Sequence, residues 1–574
     1  MDELLQKSFI AGVERVTAWA DLLDSINVFP VADGDTGRNL SISLFPLRNV
    51  HPDKSKIIRQ LLFSARGNSG NIASRFFSAF YAAQSASELA DHAAEGRLRA
   101  WKAVSDPCAG TMLTLFDALT EALPFTEMIL NQATIGTIIS RLEKAVHETK
   151  ELLPKLKKAQ VVDAGALGMY IFFEGFFYSL AGMGDNHRPV TEVFKNSLHI
   201  ATSFRKEAQS GYCVDFVLQS PTLSNEELVR ITQAHDNAVI IPEGDIYKIH
   251  LHTEDREKMK AQIGKLGSML NWEEDNLALQ TQEFMSAKIG QILHIMTDAA
   301  GSVTRKDAQK YGLTLLNSYL TVGEKCLPET YFNSEEVYAA MQQGVRVSTA
   351  QASVYERHQI YESVLNRFEK VLYLCVGSVF TGNYNVVMEW KKKHDPQNRI
   401  LVVDTGAASG RLGIIALAAA RYLTKTNDME KTFAFAQRAV QICEEYVFLD
   451  KLQYLAAGGR LSKPSAFFGD MLHMKPVISP QPEGVKKVGV VKNQKEQLEM
   501  ALTRLATTLK NDSRVLIMLE YSDNYAWVNG TVKKMVEDRH PQAEIILQPL
   551  SLTSGAHMGP GTWGVAFLPE ETTP

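Results

Sequence analysis

From Met1 to about Leu198 the apolar residues recur at helical spacing, as in Leu4, Leu5, Phe9, Val13, Val16 and Ala20, with few two-residue alternations between them. This pattern predicts an all-helical region over residues 1–200. Near Gly211 the rhythm changes. GYCVDFVLQ and YKIHLHT alternate like strands, whereas NEELVRITQAH and REKMKAQIGKLG keep the helical period, so residues 201–288 are expected to form a small α+β module. Beyond it, short β-rich runs (QILHIMTD, VLYLCVGS, RILVVDTG, RVLIMLEY, EIILQPLS) alternate with helical stretches such as Ser334 to Gln343 and Leu412 to Tyr422. Residues 289–574 are therefore expected to be an α/β region of two lobes, crossing between Asp450 and Gly469. The fold class is multidomain: all-α, then α+β, then two-lobed α/β.

A chain of 574 residues exceeds one hydrophobic core, in line with roughly two to four domains. Its 60 basic and 65 acidic residues leave a net charge of -5, which argues against a nucleic-acid partner. The run Lys155, Lys157 and Lys158 lies on a helical pattern and reads as a solvated face. Five cysteines (Cys108, Cys213, Cys326, Cys375, Cys443) lack paired spacings, so a reducing, cytoplasmic location is expected. The N-terminus carries acidic residues and no apolar run of the secretory kind, and reads as a mature helix. The greasiest stretch, Met169 to Met183, is short and interrupted by Glu174, so no membrane span is expected.

Candidate chemistry begins in the loop NVFPVADGDTGRN. Asp33 and Asp35 flank Gly34, and two carboxylates on a tight turn converge readily on a hard cation; Asp35 or Thr36 as a helix cap explains the same residues. Three further turns stand at predicted helix starts: Gly67-Asn68-Ser69-Gly70, Gly110-Thr111-Met112, and Asp163-Ala164-Gly165-Ala166. Exposed N–H groups and hydroxyls at helix starts suit phosphates. In YKIHLHT the period of two puts His250 and His252 on one face, where Cys213 of another strand can meet them. One thiolate and two imidazoles make a zinc set; two half-buried histidines and a core cysteine are the plainer alternative. In the α/β region, polar loops follow strands at Thr297–Ser302, Ser348–Ser353, Gly377–Gly382 and His557–Gly561. Gathered at one sheet edge, they would suit an anionic head group.

The motifs NVFPVADGDTGRN, SARGNSGNIAS, GTMLTLF and VDAGALGMYIFFEG, in this order, resemble the ATP-binding DhaL domain of dihydroxyacetone kinases, and more closely the kinase component of bacterial fatty acid kinase. The resemblance implies ATP held by Thr36, Asn39, Asn68, Ser69, Gly70, Gly110, Thr111, Met112, Asp163 and Gly165. It implies two magnesium ions on catalytic Asp33 and Asp35. The dihydroxyacetone-kinase pattern has a further aspartate upstream, where this chain has Val28 preceded by Asn27, so Asn27 is taken as the third magnesium ligand. Ala32 replaces a proline of the fatty acid kinase version. GYC followed by an HxHT strand is similar to the middle domain of fatty acid kinase, which implies a site of Cys213, His250 and His252, with zinc as the candidate ion.

Further on, MTDAAGS, VSTAQAS, VGSVFTGNY, YLAAGGRLS, LHMKPVIS and AHMGPGTWGV resemble the DegV family of fatty-acid-binding proteins across residues 290–574. The resemblance implies a fatty-acid carboxylate held by Thr349, Ser378 and His557, with Arg460 helping to align it. Ala350 and Gly377 replace serines of that pattern, and Lys492 stands near an expected arginine, supplying charge without the bidentate fork. Together these imply a kinase that phosphorylates a bound fatty acid to an acyl phosphate. A lipid carrier or sensor with a non-catalytic kinase-like domain, and a glycerone kinase, are the alternatives. A homodimer, transient membrane contact for lipid exchange and a downstream acyltransferase are the expected partners.

Overall fold

The computed structural model describes residues 2–49, 51, 53–123, 131–184, 187–204, 210–224, 227, 230, 235, 238–286, 292–457, 474–509 and 514–569. The chain divides into two units, Met1–Ser286 and Ala287–Pro574. Among the described residues no helix is long and apolar enough to cross a membrane.

The first unit opens with α1 (Glu3–Ala18), α2 (Ala20–Ser25), α3 (Thr36–Leu44), α4 (Lys54–Ser64) and α5 (Gly67–Phe80). There follow α6 (Leu89–Ala103), α7 (Met112–Ala122), α8 (Gln132–Leu152), α9 (Pro154–Ala159) and α10 (Ala164–Leu180). The greasy stretch is α10. It is apolar nearly all round because α1, α3, α7 and α8 all pack on it. Phe9, Phe76, Phe77, Phe80, Phe172, Phe173 and Phe176 interlock there, mostly edge to face, and Phe76 stacks on Phe116 with ring centroids 4.0 Å apart. Glu174, the one acidic interruption, is buried and paired with Arg15, and also accepts the Tyr170 hydroxyl at 3.0 Å. That pairing lets a charge sit in an aromatic core.

The α+β module belongs to this same unit. Its antiparallel sheet contains β1 (Tyr212–Gln219), β2 (Val239–Glu243), β3 (Ile246–Thr253) and β4 (Ser268–Asn276), in the order β2-β3-β1-β4. One face is apolar: Val214, Phe216, Leu218, Ile249 and Leu251 meet Met259 and Ile263 of the helix Arg256–Ile263. The opposite face carries Cys213, Asp215, Lys248 and His250, all buried. Helices α3 and α5 meet this polar face: Arg66 pairs with Glu273, Arg38 with Asp275 at 3.0 Å, and the Gly67 N–H donates to Asp215 at 2.8 Å. The expected helix NEELVRITQAH falls largely outside the described residues.

The second unit holds a parallel sheet of β5 (Leu293–Asp298), β6 (Leu313–Leu316), β10 (Lys370–Cys375) and β11 (Ile400–Asp404), in the order β11-β10-β5-β6. A small antiparallel sheet contains β7 (Tyr319–Val322), β8 (Lys325–Pro328) and β9 (Val347–Ala350), in the order β8-β7-β9. The third sheet is mixed, in the order β14-β13-β12-β17-β15-β16. Its strands are β12 (Glu444–Phe448), β13 (Lys475–Gln481), β14 (Gly484–Val491), β15 (Val515–Tyr521), β16 (Glu544–Pro549) and β17 (Trp563–Pro569). The two lobes are thus a parallel and a mixed sheet. The chain has entered the mixed sheet by Glu444, earlier than the crossing expected at Asp450–Gly469, because the helices Ser409–Thr426 and Met429–Ile442 make the connection.

Candidate functional site

The acidic loop lies between α2 and α3. Asp35 occupies the N-cap position of α3, yet its side chain caps nothing. Asp24, from the end of α2, does that work: its carboxylate accepts the Gly37 N–H at 2.6 Å and the Arg38 N–H at 3.2 Å. Asp35 is thereby released from the capping role that its sequence position suggests. Gly37 packs so closely on the Ala20 backbone that a Cβ would come within 2.2 Å of its carbonyl oxygen, which explains a glycine here.

Asp33 and Asp35 face one cavity with Asn27, Thr36 and Asn39, opposite the start of α5 at Gly67, Asn68 and Ser69. Asn27 Nδ2 donates to Asp33 at 2.6 Å, whereas Val28 is buried in the core. The upstream position that faces the acidic pair is therefore Asn27. Thr36 and Ser69 hydroxyls lie 3.4 Å apart, and Gly70 is pressed against Ser43, bringing α3 and α5 together. Burial and the charge of Asp35 push the Asp33 carboxyl well above its usual range, and burial raises Asp35 too, against the pull of Arg38 at 3.8 Å. A half-buried and a buried carboxylate side by side, both raised, are what a bound divalent cation would relieve, so the donor set fits magnesium.

The same cavity is walled by the middle module. Cys213, His250 and His252 line it, and one donor atom from each lies within 4.8 Å of the others. The register explains the convergence: Cys213 sits opposite His252 and Asp215 opposite His250 on the neighbouring antiparallel strands β1 and β3. Burial pushes the Cys213 thiol well up, helped by the charge of Asp215, and lowers His252 to about 4. His250 Nδ1 lies 3.2 Å from Asp215 and 3.9 Å from Cys213 Sγ, while its Nε2 is buried without a hydrogen-bond partner. Two imidazoles beside a thiol suit a thiophilic divalent ion.

The other two turns form a second cluster in the helical region. Thr111 caps α7 and Asp163 caps α10, the Asp163 carboxylate accepting the Ala166 N–H at 2.7 Å. Burial raises Asp163 to about 7 although the Ala166, Gly165 and Met112 N–H groups pull it down. Gly110 has φ 90°, the left-handed region, and its N–H donates to Thr114 at 2.8 Å. Thus the Asp163 carboxylate draws together Met112 and Gly165, with Gly110 and Thr111 directly before Met112 in the chain.

In the second unit the structure brings Thr349 and His557 together, Oγ1 to Nε2 at 3.1 Å. Neither lies in a loop as expected. Thr349 is on β9, where pairing to β7 covers its backbone, and His557 is in the last turn of the helix Leu552–Met558. The polar segments also divide between the parallel and the small sheet, so they do not share one sheet edge. Ser378 follows β10 with its N–H donating to Asp404 at 3.0 Å. Lys492 is exposed just beyond β14, its N–H bound by Glu496 at 2.8 Å. Arg460 lies outside the described residues.

Beneath these loops Asp298, buried at the end of β5, accepts the Tyr373 hydroxyl at 2.9 Å, the Val376 N–H at 2.8 Å and Asn383 Nδ2 at 2.7 Å, with Arg357 at 3.4 Å. Sequence reasoning missed Asp24, Asp215 and Asp275. Asp215 had a signal, lying one strand period from Cys213 on the same face; Asp24 had none.

Three family models match the chain: the DAK2 domain over residues 30–178, the FakA-like middle domain of fatty acid kinase over 209–284, and the uncharacterised DegV family over 292–570. Among curated proteins, an uncharacterised protein of Staphylococcus aureus (strain USA300) is 30% identical over 311 residues, 49% of this chain and 56% of that protein. Protein YloV of Bacillus subtilis (strain 168) is 28% identical over 308 residues, 48% of this chain and 55% of that one. The chain therefore spans little more than half the length of the curated relatives it matches. Among solved structures, a fatty-acid-binding DegV family protein from Thermus thermophilus is 23% identical, with 49% of this chain and 100% of that chain covered and a TM-score of 0.45. By its family models, the chain joins a DAK2 domain, a FakA-like middle domain and a DegV-family region in that order.

Proposed function

We propose that this protein is a fatty acid kinase that carries its lipid-binding region on the same chain, transferring the γ-phosphoryl group of ATP to a fatty-acid carboxylate. The observation that carries the reading is the Asp33–Asp35 pair, both raised by burial and Asp33 also by the charge of Asp35, facing the helix start at Gly67–Ser69 within a region matched by the DAK2 domain. Asp33, Asp35 and Asn27 would hold magnesium, which supplies charge neutralisation on the nucleotide phosphates when bound. The α5 start and Thr36 would receive phosphate oxygens, and the Gly110–Met112 and Asp163–Gly165 cluster would complete the nucleotide site. Cys213, His250 and His252 would hold zinc.

Thr349 and His557 would hold the carboxylate of the acceptor, with Ser378, Lys492 and Arg460 as further contacts. A carboxylate is already ionised at neutral pH and attacks without a general base, so the residues need only orient it and exclude water. One oxygen of the carboxylate forms the new bond to phosphorus as the bond to the ADP leaving oxygen breaks, giving an acyl phosphate. The tether between the two regions would raise the effective concentration of acceptor over that of a separate carrier.

The test is magnesium-dependent ATP consumption by the full chain with and without a long-chain fatty acid, with hydroxylamine trapping the acyl phosphate. Hydroxamate that disappears in the Asp33→Ala, Asp35→Ala double variant is the expected result. Tight lipid binding with no hydroxamate would sink the reading and favour a carrier.

A further inference from the structure

The polar face of the middle sheet holds a carboxylate that the phosphotransfer reading leaves unused. Asp215 is buried, and its two oxygens reach into both halves of the cavity wall. Toward the helices, it accepts the Gly67 N–H at 2.8 Å and Asn71 Nδ2 at 2.8 Å, both near the start of α5. Toward its own sheet, it meets His250 Nδ1 at 3.2 Å and Lys248 Nζ at 3.3 Å. One oxygen is shared between Gly67 and His250, so a shift of the imidazole and a shift of the α5 start draw on the same atom.

Burial alone would raise this acid, yet Lys248 and His250, with the Gly67 N–H, hold it well below the usual carboxylate range. The His250 Nδ1 that Asp215 holds also lies 3.9 Å from Cys213 Sγ, so Asp215 orients the imidazole within the cluster, while Nε2 is buried and unpartnered. The α5 start is just as dependent. Gly67 has φ 60°, and the following Asn68 and Ser69 line the cavity, so the N–H group that Asp215 holds fixes where the phosphate-facing turn begins.

We propose that Asp215 is a positioning residue that makes the cysteine–histidine cluster and the nucleotide turn one cooperative site, so that a thiophilic divalent ion at Cys213, His250 and His252 and magnesium nucleotide at the α5 start each tighten the other. The inference rests on the cavity being a magnesium-nucleotide site. It differs from that reading in assigning the middle module a part in nucleotide affinity, reciprocal by linkage.

The metal-stripped full chain is titrated with Co2+, read by the thiolate-to-cobalt absorption that only a cysteine ligand produces, with and without saturating Mg-ADP. Mg-ADP is expected to tighten Co2+ about tenfold, and Co2+ to tighten Mg-ADP by the same factor. In Asp215→Asn the absorption band persists, Co2+ binds about tenfold more weakly and the mutual effect disappears. Asn71→Ala leaves the His250 contact in place, and should keep Co2+ affinity in the absence of nucleotide while losing part of the coupling. Because this variant spares the metal side, it separates coupling from misfolding of the module. Equal coupling in the wild type and Asp215→Asn overturns the proposal, as does Co2+ and Mg-ADP binding independently in the wild type. Failure of Mg-ADP to bind at all removes the phosphotransfer reading and this inference with it.

Discussion

Asp298 in the second unit and Asp33 in the first are acids of the same kind in opposite company. Asp298 is surrounded by a tyrosine hydroxyl, a backbone N–H, an asparagine amide and a guanidinium, all pointing at it. Asp33 has an asparagine amide and, beside it, another buried carboxylate. The first is a fastener whose charge is spent on holding Arg357, Tyr373 and the loop after β10. The second is pushed up by burial and by its acidic neighbour, and such an acid is available to a ligand that brings positive charge. The company of an acid, more than its depth, separates the two roles.

The comparison breaks most visibly in activity. Asp33→Ala with Asp35→Ala should lower acyl phosphate formation by about a thousandfold or more, while the thermal midpoint holds or rises because a buried repulsion is removed. A marked fall in the midpoint would make these acids structural after all. Asp298→Ala should behave the other way round. It strands Arg357 in the core and should cost about 3–5 kcal/mol of stability in denaturant unfolding of the full chain.

A third acid sharpens the rule. Glu329 is buried beside β8 and accepts the Thr553 N–H, and burial raises it to about 7. Its proton is held more tightly in the folded than in the unfolded state, so stability is present below about 4.5 and is lost as pH climbs through about 7. Glu329→Gln should flatten that slope, a difference of about 3 kcal/mol above pH 7; an unchanged slope would show that its charge is answered after all. The smallest effect belongs to the Thr349–His557 pair. Thr349→Val removes one hydroxyl and should weaken fatty-acid binding about fivefold to tenfold with the melting temperature unchanged, and equal binding would place the head group elsewhere.

Much of this was legible from the sequence. The helical period marked the first region, the two-residue alternation of YKIHLHT put His250 and His252 on one face, and the glycine turns fell at helix starts. What could not be read was partnership across distance. Asp35 looks like a helix cap until Asp24, from another helix, takes the cap. Thr349 looks like a loop residue because β9 is short and pairs with β7, a strand without a strong pattern of its own. That the middle sheet would turn a polar face inward contradicts the expectation that buried faces are apolar. It is stable only because Arg66, Arg38, Gly67 and Asn71 supply the complementary groups.

That inward polar face also constrains how the chain can change over generations. An apolar contact tolerates many substitutions, but Arg66 against Glu273 and Arg38 against Asp275 are matched in sign, and Asn71 against Asp215 in donor and acceptor. A drift at one member leaves its mate stranded until the other follows. Among related chains, these three pairs should covary across the span separating α3 and α5 from β1 and β4, so that neither stretch can be exchanged between lineages without the other.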